Sequence, residues 1–153
     1  MARTSLTNRL GFLVYDVARM FRADFRVRAQ QLPLTEGQWR VLAQLARMEG
    51  CRQTDLAEVL EIRPISLTRQ IDKLVDHGLV ERHPHPSDRR AALLHLTASA
   101  TPLIEQLLEL GVQTRERALA GFDADERRQL LAYLERIRAN LSTATEADSS
   151  HAA

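Results

Sequence analysis

Between Glu61 and Asp72 the chain carries no carboxylate, and this gap holds Arg63, Ser66, Thr68, Arg69 and Gln70. Such side chains suit the edges and backbone of a nucleic acid. A guanidinium donates a bidentate pair to guanine, a glutamine amide matches adenine, and hydroxyls reach bases or phosphates. A second set follows at Ser87, Asp88, Arg89 and Arg90. An arginine placed in a narrow minor groove gains from its enhanced negative potential. Asp88 is expected to hold the Arg90 guanidinium in position.

The flanking pattern supplies the elements that would present these groups. A short helix is expected over about Gln53 to Leu60, with Leu56, Val59 and Leu60 facing inward and Ala57 small enough for close helix contact. A second begins at Pro64, which suits the first helical position because its missing N–H is not needed there. Ile65, Leu67, Ile71, Leu74 and Val75 fall at helical spacing along it. Gly78 provides a left-handed terminus, with His77 in the last turn. Leu79-Val80 then opens a strand, Pro84 and Pro86 block ladder pairing, and Ala91 to Leu96 returns as a second strand. This is a helix-turn-helix followed by a wing, in which the start of the second helix enters a major groove. From Arg52 to Arg90 seven basic residues face seven acidic ones, so the placement of the charges, not their sum, favours a nucleic acid.

With 153 residues, 44% of them hydrophobic, the chain can fill one domain core with helical extensions. A net charge of +1 excludes the strongly basic class, although Met1 to Gln31 holds six arginines against two aspartates. Lys73 is the only lysine. No apolar run approaches the roughly 20 residues of a membrane span. Arg9, Asp16 and Arg19 interrupt any signal-peptide core, and the single cysteine cannot form an internal disulfide. The expected location is cytoplasmic.

Leu6 to Gln31 reads as a long amphipathic helix with Leu10, Leu13, Val14, Val17, Met20, Phe21 and Phe25 on one side. Phe12 and Tyr15 fall off that stripe, so the helix is expected to bury a second face. After Pro33, Thr35 and Gln38 form a capping box for a helix whose core face is Trp39, Leu42, Leu45 and Ala46. Beyond the wing, Thr97 or Ser99 caps a helix bearing Leu103, Ile104, Leu107, Leu108 and Leu110, which Gly111 is expected to loosen. Gly121-Phe122 breaks it, and Asp123 with Glu126 starts another carrying Leu130, Leu131, Leu134, Ile137 and Leu141. From Ser142 small polar residues suggest a disordered tail. The apolar surface of the end segments suggests that they pack together, in cis and across a dimer, with a purely intramolecular bundle as the alternative. The expected divisions are an N-terminal helix over 1–33, a DNA-binding lobe over 34–96, C-terminal dimerisation helices over 97–141 and a tail over 142–153. The fold class is therefore mainly α with a small β-hairpin wing: a winged helix-turn-helix core plus terminal dimerisation helices.

His77, His83, His85 and His95 surround the wing, but no cysteine or carboxylate spacing completes a metal set. Neither a metal nor a cofactor is expected. There is no glycine-rich phosphate loop and no nucleophile motif, so the chain does not read as an enzyme. Cys51 has only Arg47 and Arg52 nearby to activate it, and a Cys51-based redox-responsive regulator is the lesser alternative. A winged helix can also serve protein contacts without DNA, but such a wing has no need of paired arginines at its tip.

The stretches LTEGQWRVLAQL, TDLAEVLEIRPISLTRQIDKLVDHGLVER and SDRRAALLHLTASATPLIEQL, in this order, resemble the MarR family of winged-helix transcriptional regulators, most closely its SlyA-type branch. The similarity covers roughly Leu10 to Leu141. It implies a homodimer on near-palindromic double-stranded DNA, with repression by promoter occupancy as the default. Ser66, Thr68 and Arg69 match recognition-helix positions, and Asp88, Arg89 and Arg90 match the wing tip. The resemblance also implies release by a small aromatic or phenolic carboxylate. Arg19, Arg22 and Trp39 would hold it, since guanidinium forks match carboxylates. Arg52 stands where the family often has a Ser or Thr cap, and Ala100 where it often has Gly; both departures bear on helix ends.

Overall fold

The computed structural model describes the backbone of residues 3–88 and 90–150, and the side chains of 9–88 and 90–142. The chain divides into two compact units, Met1–Arg115 and Glu116–Ala153.

In the first unit, α1 (Arg3–Ala29) joins the core near its end, among its described side chains through Phe25 and Ala29. Its earlier residues Leu10, Phe12, Leu13, Val14, Tyr15, Val17, Met20 and Phe21 all remain exposed within one chain. Helix α2 (Glu36–Leu45) starts as its sequence demands: the Thr35 hydroxyl accepts from the Gln38 N–H at 3.4 Å, and Gln38 Oε1 accepts from the Thr35 N–H at 2.8 Å. Val41, Leu42 and Leu45 are fully buried, and the helix ends at Leu45, ahead of Gly50.

Helix α3 (Gln53–Leu60) and helix α4 (Pro64–Asp76) occupy the expected ranges. Arg52 caps α3 without a side-chain acceptor; instead its N–H donates to Asp55 Oδ2 at 3.2 Å. Between the helices Glu61 takes φ 52°, a left-handed conformation that costs an L-residue about 1–2 kcal/mol. The Ile62 N–H closes this turn on Ala57 O at 3.1 Å. Leu67, Ile71 and Leu74 are fully buried, each contributing about 1.5–3 kcal/mol by removal from water. Two expected inward residues face out: Val59 is 51% and Ile65 65% exposed. The core-facing stripes are already filled by Leu56 and Leu60 on α3 and by Leu67, Ile71 and Leu74 on α4.

Gly78, at φ 68°, turns the chain into strand β1 (Val80–Pro84), which pairs antiparallel with β2 (Ala92–Leu96). The register sets Val80 against Leu96 and Arg82 against Leu94, and buries Val80 and Leu94. Pairing passes Pro84 rather than stopping there: Pro84 faces Ala92, and the His85 N–H donates to Ala91 O at 3.1 Å. Along a strand alternate N–H groups point away from the ladder, so a proline at such a position removes no bond.

Thr97 does not cap the next helix. Its hydroxyl donates to Gly78 O at 2.6 Å, and a 3-10 turn (Ala98–Ala100) leads into α5 (Thr101–Ala118), which runs through Gly111. Ala100 is fully buried.

In the second unit, Asp123 Oδ1 accepts from the Glu126 N–H and Glu126 Oε2 accepts from the Asp123 N–H, both at 2.9 Å. They open α6 (Ala124–Ser150). Arg127 donates to Glu116 and to the carbonyls of Leu119 and Phe122, tying the turn down. Leu131, Tyr133, Leu134, Ile137 and Leu141 are exposed. The α6 backbone continues to Ser150, through most of the stretch expected to be a tail. No Gly or Pro interrupts 142–150, and Ala144, Glu146 and Ala147 favour helix; residues 151–153 lie outside the described residues. No helix among the described residues is long and apolar enough to cross a membrane.

Candidate nucleic-acid interface

With Leu67, Ile71 and Leu74 pointing into the core, helical periodicity decides where the remaining α4 side chains point. Arg63, Ser66, Arg69 and Lys73 are exposed, and none is in an ion pair among the described residues. The first turn of α4 carries no acidic residue. Lys73 was not among the sequence candidates, although its place four residues after Arg69 puts it on the same face.

Thr68 and Gln70 lie at the flanks of that face and are turned to structural tasks. The Thr68 hydroxyl accepts from Gln53 Nε2 at 2.6 Å and donates to Pro64 O at 2.9 Å, so it joins α4 to α3. The Gln70 side chain lies over Gly37 in the first turn of α2. A Cβ at position 37 would fall 2.8 Å from Gln70 Cδ, and Gln70 Oε1 is buried without a hydrogen-bond partner among the described residues. Neither side chain stands free on the reading face as the sequence candidates required. A further tie holds α4: Arg82 of β1 donates to Asp72 at 2.6 Å; behind it, Arg40 donates to Leu60 O at 3.2 Å and joins α2 to α3.

The wing tip is organised by His85. Its Nδ1 accepts from the backbone N–H groups of Ser87 and Asp88, both at 3.2 Å. Its Nε2 lies 3.1 Å from the Arg52 guanidinium. All three neighbours can only donate, whereas a neutral imidazole offers a single acceptor nitrogen. The ring therefore accepts at one of its two nitrogens at a time. Asp88 is half-buried, and Oδ1 accepts from the Arg90 backbone N–H at 3.0 Å, which is the local turn an Asx residue favours. It therefore shapes the tip rather than clamping the Arg90 guanidinium, which is exposed. Ser87 is exposed beside it, and Arg89 lies outside the described residues.

On the outer face of the hairpin, His83 stacks on His95 with ring centroids 4.5 Å apart, and His83 Nε2 meets Glu81 Oε1 at 2.8 Å. No group of three or more metal-ligating side chains occurs among the described residues. Cys51 is half-buried; burial first, and the Asp55 carboxylate second, push its thiol above the usual range. That is the reverse of what an oxidant-sensing thiolate needs.

The effector candidates are not brought together in an open site. Trp39 is 8% exposed, with its ring 4.7 Å from that of Phe25. Arg19 is exposed and pairs with Asp16 at 3.4 Å; Arg22 is exposed and without an ion pair among the described residues. An open cleft of about 300 Å³ lies elsewhere, where β2 leads into α5, and is lined by Glu49, Thr97, Ile104 and Glu105 among others.

Comparison with known proteins agrees with this geometry. The MarR family model matches residues 34–92, which span α2 to the start of β2. The solved transcriptional regulator PA3341 is 34% identical, with 87% of this chain and 98% of that one aligned and a TM-score of 0.75. The apo form of wild-type MarR from E. coli is 29% identical over 84% of this chain and 96% of its own, with a TM-score of 0.72. A MarR transcriptional regulator from Methanosarcina mazei Go1 is 26% identical over 89% and 98%, with a TM-score of 0.77. The chain belongs to the MarR family of winged-helix transcriptional regulators.

Proposed function

We propose that this protein is a homodimeric, sequence-specific DNA-binding repressor of the SlyA type. The observation that carries the reading is the exposed face formed by Arg63, Ser66, Arg69 and Lys73 on α4, clear of carboxylates in its first turn. A buried apolar stripe holds that face outward, as insertion into a major groove requires. Arg90 reaches the adjacent minor groove from the wing. Dimerisation is supported by the apolar side chains that α1 and α6 each leave in water, a surface of the kind that marks association sites. Two-fold symmetry then places two α4 helices about one DNA turn apart, and occupancy of a promoter blocks polymerase.

A small aromatic carboxylate is the proposed effector, taken by Arg22 and Arg19 with Trp39. What supports it is Arg22, exposed and without an ion pair among the described residues, on the same helix as Phe25, whose ring packs on Trp39. Binding that favours a different spacing of the two reading heads lowers DNA affinity by linkage.

The test is titration of the purified protein onto its own upstream DNA at two salt concentrations, with and without salicylate, alongside Arg90→Ala. The expected result is tight, salt-sensitive binding, with a salt slope shallower by about one for each Arg90 lost, and weakening by salicylate. Binding no better than to random DNA, there and on a pool of random duplexes, would leave a winged helix whose partner is a protein.

A further inference from the structure

The sequence pattern assigns Ile65 to the core, and the structure places it in water, 65% exposed in the first turn of α4. Single exposed aliphatic side chains are ordinary on protein surfaces. This one is set apart by its surroundings. Arg63 precedes it at the helix N-cap, Ser66 follows it, and Arg69 stands one turn further along the same face. All three are exposed. A polar residue would serve folding equally well there, and an acidic one would gain from the helix dipole. The chain has instead a branched hydrocarbon in the turn of helix that enters the groove.

In a major groove the one apolar feature of a base edge is the 5-methyl group of thymine, and apolar side chains read it by contact. We propose that Ile65 is a specificity-determining residue that selects a thymine in each half-site by packing on its 5-methyl group. The guanidinium of Arg69 reads a neighbouring base edge or phosphate. The inference rests on the reading of α4 as the DNA-recognition helix and goes beyond it by naming the base and the group recognised. Such a contact is dry and carries no charge, so it selects sequence without adding to the salt dependence of binding.

The test begins with selection of a preferred duplex from a random pool by the wild-type protein. Each thymine of one half-site is then replaced singly by deoxyuridine, which removes only the methyl group. Wild type is expected to lose about fourfold in affinity at one thymine position, the ratio that corresponds to about 0.8 kcal/mol for one buried methyl. Ile65→Ala should bind the thymine duplex more weakly and no longer distinguish thymine from uracil at that position. Arg69→Ala should keep the distinction while losing affinity and salt sensitivity. Alanine is a good helix former at an exposed site, and circular dichroism checks that Ile65→Ala stays folded. Sequence-specific binding with no uracil effect at any position, or a uracil effect that survives in Ile65→Ala, would overturn the inference and leave DNA reading intact. Failure to enrich any sequence would overturn both.

Discussion

Helix α4 and the wing, which the proposed function brings to the same DNA, are held by different forces. The helix is fixed from behind by three fully buried aliphatic side chains and from the sides by Thr68 on Gln53, Gln70 on Gly37 and Asp72 on Arg82. Among the described residues the wing tip has no buried apolar side chain beyond the hairpin root at Val80 and Leu94. Past Pro84 the described residues are shaped by two backbone bonds, from the His85 N–H to Ala91 O and from the Ala91 N–H to Asp88 O, by the His85 ring and by the Asp88 side chain. Hydrophobic burial is non-directional and large, whereas hydrogen bonds at a half-exposed tip are each worth about 1 kcal/mol net. The helix is thus part of the fold, and the wing is a local structure attached to it. Damage to the first should show as lost stability, and damage to the second as lost DNA affinity in a protein that still folds.

The largest effect expected is that of Leu67→Ala. A fully buried leucine with core on all sides should cost about 2–5 kcal/mol, seen as a lower urea midpoint at unchanged slope. A loss below 1 kcal/mol would mean that α4 is not held by its core stripe, and the contrast with the wing would fail.

Next come two neighbours on α4 that the structure separates. Arg69→Ala should lose roughly 1–3 kcal/mol of binding to the selected duplex, as a base-edge contact does. Gln70→Ala should stay within about threefold of wild type, because its amide lies over Gly37 rather than in the groove. Comparable losses from both would show that Gln70 swings out to read DNA, and the side ties of α4 would then be switchable rather than fixed.

That separation marks the limit of what the sequence disclosed. The helix ranges of α3 and α4, the Thr35–Gln38 and Asp123–Glu126 boxes and the Gly78 turn are local, written in residues a few positions apart. The spacing of Leu67, Ile71 and Leu74 likewise settles which way α4 faces. The side chains at its flanks depend on which helix packs beside them. Gln53 and Gly37 are far from position 70 or 68 in the sequence, so Thr68 and Gln70 looked free to meet DNA. Val59 and Ile65 misled for a related reason: an apolar residue near a helical stripe counts as core until the neighbouring element proves too far away. The role of His85 depends on the path of the tip beyond Pro84, which no periodicity records.

At the wing, His85→Ala removes the acceptor for two backbone N–H groups while leaving Val80 and Leu94 in place. Stability should change by no more than about 1 kcal/mol, and DNA affinity should fall several-fold as the tip loses its shape. His85→Asn carries an acceptor oxygen where Nδ1 sits and should recover much of the affinity. No loss in His85→Ala, measured on the selected duplex, would mean that the Asp88 turn alone shapes the tip.

The smallest effect is expected at Cys51, which lies where the wing root meets α3. The Cys51 carbonyl accepts from the Leu94 N–H at 3.0 Å, and Arg52 bridges to Leu93. Burial holds the thiol above its ordinary range, so at neutral pH it is scarcely thiolate, the form that reacts. Alkylation by iodoacetamide should be slower than for a free cysteine, and its rate should rise only at more alkaline pH. Mild peroxide should leave DNA binding unchanged. If the wing is soft only at its tip, His85→Ala should leave the alkylation rate at its wild-type value. Faster alkylation in that variant would mean that tip and root open together, making the whole hairpin, rather than the segment beyond Pro84, the mobile half of the interface.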